Sequence, residues 1–148
     1  MTASRSAGAG VLPWLAAVCG VVALGLIVRF GLGGGLGDAV GGVLYTILIA
    51  LLVYPLLTLG PIGRGRRARV WLAAAIGGLV SVAIELLQLT GAPAALSTVF
   101  PPARLVFGTS FAVLDLVAYA CGALVFGAVG ALLATRRRQA SVFCQAAE

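Results

Sequence analysis

The chain reads as an all-α, polytopic membrane protein, a bundle of four transmembrane helices, and three observations carry that reading. Mean hydropathy is +1.15, and only 9% of the 148 residues are charged, which leaves too little polar surface to enclose a soluble core. The length accommodates four crossings of a hydrocarbon layer about 30 Å thick, at roughly 20 helical residues each, with little left over for a separate soluble domain. Finally, the arginines collect in short segments that bracket the apolar runs, a pattern that sets topology.

Residues 1–10 form a short polar N-terminus with Arg5. The first span covers about 11–28, with Trp14 near one edge and Arg29 at the other. This run is long for the apolar core of a signal peptide, and no small-x-small cleavage site follows Arg29. The stretch Leu15-Ala-Ala-Val-Cys19 has the outline of a lipoprotein site, but Val18 is too bulky beside the cysteine and the apolar run before it is too short. The glycine-rich residues 30–38 predict a tight turn.

The second span covers about 39–59 and contains Tyr45, Tyr54 and Pro55. Pro55 predicts a kink near its end, with neighbours satisfying the carbonyl that proline cannot bond. Arg64, Arg66, Arg67 and Arg69 follow, ahead of a third span over about 70–89. Residues 90–110 are the longest connection, largely apolar and carrying Pro93, Pro101 and Pro102. Too apolar for disorder, that loop predicts an interfacial or re-entrant segment over the mouth of the bundle. The fourth span, about 111–134, is closed by Arg136, Arg137 and Arg138, and residues 135–148 read as a mobile cytoplasmic tail. Small residues at Ala118, Gly122, Ala123, Gly127 and Ala131 give the last helix a face suited to close packing, within the chain or as a docking surface in an oligomer.

Four spans with both termini in the cytoplasm put Arg5 and both arginine clusters on the cytoplasmic side. The connections 29–38 and 90–110 then face outward.

Composition also excludes. All ten basic residues are arginine, with no lysine and no histidine, which removes Schiff-base chemistry, Ser-His or Cys-His couples and histidine-held metal. Cys19, Cys121 and Cys144 have no metal-clip spacing. Neither a cofactor nor a metal is expected. The net charge of +6 is spent on topology, so no nucleic-acid partner is expected either.

The informative residues gather toward the outer side. Glu85 sits about one turn inside the end of the third span and Asp115 about one turn inside the start of the fourth; Asp38, Arg29 and Arg104 come from the outer connections. Ser81, Glu85 and Gln88 share one helix face, and Asp115, Tyr119 and Gly122 share another. A charge facing lipid near the bilayer centre costs about 2.5–3.5 kcal/mol or more, so both carboxylates should turn inward, toward Arg104, Arg29, Gln88 and Tyr119. Two readings stay open. In one, Glu85, Gln88, Arg104, Asp115, Tyr119, Arg29 and Asp38 line an outward polar site for an amphipathic ligand. In the other, the same charges only clamp the helices of a structural or scaffold subunit. A carboxylate-dependent, lipid-modifying enzyme is a third reading, weakened by the lack of His and Lys.

Glu85-Leu-Leu-Gln88 closing one span, and Asp115-Leu-Val-Ala-Tyr119-Ala-Cys-Gly122 opening the next, resemble the VanZ-like bacterial membrane proteins. The order of motifs is more similar still to an uncharacterised sister group of small four-span proteins known only as a domain of unknown function. Arg29 after the first span, Leu44-Tyr45 and Gly108-Thr-Ser-Phe111 fit that group. The resemblance covers about residues 25–133. Two departures are Tyr119 where VanZ-like sequences commonly have Asn, and Gly41-Gly42 where the sister group often has Gly-Asp. VanZ is associated with low-level teicoplanin resistance, so the resemblance implies a bacterial plasma-membrane location, a cell-envelope role and an envelope lipid or glycopeptide-related ligand.

Overall fold

The computed structural model describes residues 5–32, 34–59, 65–103 and 112–145, with side chains for those between 11 and 136. Its elements are α1 (Arg5–Gly31), α2 (Gly34–Leu59), α3 (Arg66–Gln88), α4 (Ala92–Val99) and α5 (Val113–Gln145). Four of them, α1, α2, α3 and α5, are long and apolar enough to cross a membrane. The all-helical four-span class is therefore the observed one, and the chain is a small multi-pass membrane protein.

The four long helices are not equivalent. Among the described residues, α2, α3 and α5 each pack against the other two, whereas α1 packs against α2 alone and α4 against α3 alone. The contact face of α1 is a narrow stripe, Trp14, Val18, Val21, Gly25 and Val28, at alternating spacings of four and three. Its other faces are exposed apolar side chains, as lipid contact requires.

Lipid tails are as apolar as leucine, so helices in a membrane associate by close backbone approach and internal polar bonds. α2 supplies Gly42, Thr46 and Ala50 at intervals of four. A Cβ on Gly77 of α3 would lie 3.1 Å from the Ala50 nitrogen and 3.1 Å from the Thr46 carbonyl oxygen, and one on Gly122 of α5 would lie 2.6 Å from the Val43 carbonyl oxygen. At this three-way contact the buried Thr46 and Ser81 hydroxyls share a 3.0 Å hydrogen bond, and Ser81 also donates to the Gly77 carbonyl at 2.9 Å. The small-residue face of α5 is used here: Ala118, Gly122, Gly127 and Ala131 are buried inside the chain, with the Trp71 ring over Gly127. Within the chain it is a packing face.

Several boundaries differ from the expected ones. The glycine-rich turn is shorter than predicted, because α2 already begins at Gly34, whose φ of +75° reverses the chain. Gly37 then sits so close over the Leu32 carbonyl that no side chain would fit. α3 begins at Arg66, since arginine is a good helix former. At the far end the α5 backbone runs on through Gln145, so most of the expected tail is helix.

Pro55 leaves the Leu51 carbonyl, four residues earlier, without a helical donor. The Trp14 indole of α1 donates to that carbonyl at 2.9 Å. The neighbour expected to satisfy it is therefore on the first helix.

Residues 89–91 turn the chain out of α3, with Gly91 at φ +73°. The predicted interfacial segment begins as α4, with Pro93 in its first turn and buried, and Ala103 buried beyond its end. Leu96, Val99 and Phe100 are exposed.

Candidate functional site

Glu85 lies on the last turn of α3 and is fully buried, with 0% exposure. Its face of α3 is continuous with Val70, Ala73, Ala74, Gly77 and Ser81, all buried, so helical periodicity alone aims it into the bundle. Both carboxylate oxygens are engaged. Tyr119 donates its hydroxyl to Oε2 at 2.8 Å, and the backbone N–H of Ala112 donates to Oε1 at 2.6 Å.

Ala112 immediately precedes α5, and Asp115 occupies the third position of that helix. An acid there commonly reaches back to the N–H at the helix cap. In this chain Glu85, from a different helix, takes that N–H. The carboxylate also faces the positive end of the α5 dipole, which favours its charge. One side chain thus ties the end of α3 to the start of α5 at both its oxygens.

The Tyr119 ring reaches Glu85 because α2 yields space. A Cβ on Gly42 would lie 3.1 Å from the tyrosine Cε1 and 3.1 Å from the Ala118 Cβ. Gly42, Ala112 and Thr46 belong to this arrangement, and sequence reasoning had not selected them. A backbone donor such as Ala112 leaves no mark in a sequence; the interval of four linking Gly42, Thr46 and Ala50 was the available signal.

The other expected members spread out. Asp115 is half-buried at the same end, within electrostatic reach of both Glu85 and Asp38. Gln88 is half-buried one turn beyond Glu85. Arg29 and Asp38 are exposed on either side of the α1–α2 turn. Arg104 lies outside the described residues. Of the expected partners, Tyr119 meets Glu85, together with a backbone amide. Those residues include no group of three or more His, Cys, Asp or Glu placed to hold a metal ion.

Chemically, a carboxylate accepting from an O–H and an N–H is held in one orientation; each oxygen keeps a further lone pair, but the group has 0% exposure. Asp115 is half-buried and Asp38 exposed.

The family described as a protein of unknown function (DUF2809) matches residues 33–123. The chain belongs to that family. The DUF2809 match takes in α2, α3, α4 and the first third of α5, so it includes the Glu85–Tyr119 pair and stops short of α1, the helix that touches only α2. It is narrower than the 25–133 suggested by resemblance. No curated protein and no solved structure matches the chain.

Proposed function

We propose that this DUF2809 protein sits in a bacterial plasma membrane with both termini in the cytoplasm, and that its α4 end faces outward and receives an amphipathic envelope ligand. The observation that carries the reading is the division of labour among three acids at one end of an apolar bundle. Glu85 is consumed by Tyr119 and Ala112, while Asp115 is half-buried and Asp38 exposed beside it. Glu85 is then the rigid back wall, and Asp115, Asp38 and Arg29 are the groups that meet the ligand. The envelope and bacterial parts rest on the VanZ-like order of the Glu85-to-Gln88 and Asp115-to-Gly122 motifs.

A purely structural role is the second reading, favoured by the full engagement of Glu85. A Glu85 with 0% exposure does not favour an enzyme working through paired carboxylates.

Cysteine accessibility separates these readings. On a Cys-free background, single cysteines at positions 38, 85, 115 and 66 are exposed on intact cells to a membrane-impermeant thiol reagent. Labelling at 38 and 115, with 85 and 66 silent, is the expected result. Labelling at 66 and not at 38 would reverse the topology; silence at 115 would close the site and leave the structural role.

A further inference from the structure

The end of the bundle opposite Glu85 carries the positive charge. α3 opens with Arg66 and Arg67, both exposed, and Arg69, half-buried; Arg136 of α5 is exposed. The contacts between α3 and α5 run antiparallel and descend in step, from Glu85 against Tyr119 through Gly78 against Ala123 and Trp71 against Gly127 to Val70 against Gly130. Arg66 and Arg67 stand one turn before Val70 and Trp71, on the same side of α3. The same register puts Arg136 of α5 at this end of the bundle, within about one helical turn of their level along the axis. Two clusters far apart in the sequence therefore form one patch.

Asp38, Glu85 and Asp115 all lie at the other end of the bundle. The first turn of α3 holds no acid, so its arginines stand at the positive end of the helix dipole, where a cation is disfavoured and an anion welcome. Depth is marked by tryptophan, which prefers the membrane–water boundary. Trp71, one turn inside the start of α3 and 39% exposed, is at this end. Arg66 and Arg67 lie one turn beyond Trp71, about 6 Å further along the helix, at the level of the headgroup phosphates.

We infer that Arg66, Arg67 and Arg136 form a single binding surface for anionic phospholipid headgroups. Guanidinium groups engage phosphate oxygens in a two-pronged geometry that lysine cannot reproduce, and every cation here is arginine. The surface is independent of the Asp115 site and of the side of the membrane it faces.

The test uses the purified full chain in phosphatidylcholine vesicles with a minor fraction of phosphatidylglycerol. Bromine is carried on the acyl chains of one lipid or the other, and tryptophan fluorescence is the readout. Brominated phosphatidylglycerol should quench at least about fivefold more effectively per molecule than brominated phosphatidylcholine, the preference expected from even one surface arginine. Trp14→Phe, which leaves Trp71 as reporter, should keep that preference. Arg66→Gln/Arg67→Gln/Arg136→Gln should lower it several-fold without changing emission in unbrominated vesicles; Arg136→Gln alone, which leaves α3 untouched, should lower it by less. Equal quenching by the two lipids in the unaltered protein, or a preference undiminished by the triple substitution, would overturn the inference.

Discussion

Removing the Tyr119 hydroxyl would leave a fully buried carboxylate oxygen short of a donor. Tyr119→Phe should therefore cost about 1–3 kcal/mol, read as a lower thermal unfolding midpoint in detergent. Glu85→Ala orphans both the hydroxyl and the Ala112 N–H and opens a cavity, and should cost about 3 kcal/mol or more. Glu85→Gln should be the mildest, about 1 kcal/mol or less, because its amide oxygen still serves Ala112 and its NH₂ can donate to a reversed Tyr119 hydroxyl. Equal losses in all three variants would mean that the two bonds do not hold α3 to α5. Of this site, Glu85 and Tyr119 were readable as candidates from the cost of charge in lipid and from helical spacing. Tyr119 was one of several possible partners for Glu85, since helix faces give direction along a chain but not which residue lies opposite.

At the scale of elements, the glycines separate into those that set interhelical distance and those that do not. Gly122→Ala would drive a methyl into the Val43 backbone, which cannot swing aside, and should lower the unfolding midpoint sharply. Gly20→Ala meets nothing within 4 Å and should be neutral or stabilising by up to about 1 kcal/mol, through helix propensity alone. A similar loss at both positions, measured in the same detergent, would contradict the packing described for α5. The spans themselves were legible because apolar run length translates directly into membrane thickness. The ends were less so: glycines at 34–37 signal a turn locally yet begin a helix, and arginines at 66–69 mark a boundary of charge without marking one of structure. α4 was hidden because eight residues with a proline in the first turn give no distinguishing periodicity.

For the whole molecule, charge among the described residues is sorted end to end, with Asp38, Glu85 and Asp115 beside α4 and, Arg29 apart, the arginines at the opposite end. That sorting is what should fix orientation in the bilayer. Replacing Arg66, Arg67, Arg69, Arg136, Arg137 and Arg138 with Gln should yield a mixed population, with a C-terminal reporter found on both sides of the membrane. A reporter still confined to one side would shift the determinant to α1 and Arg5. α5, at 33 residues, spans about 50 Å, well beyond a hydrocarbon layer of about 30 Å, so its last turns carry the arginine-bearing segment out of the membrane as a rod.

The bond from Trp14 to the Leu51 carbonyl has an evolutionary corollary. Pro55 is tolerated inside α2 because a residue on another helix repairs the gap it makes, and that helix lies outside the segment shared with the DUF2809 family. Tryptophan 14 and proline 55 should therefore be inherited as a pair: relatives that keep the proline should keep a donor at the first position, and relatives that have lost it should be free to vary there.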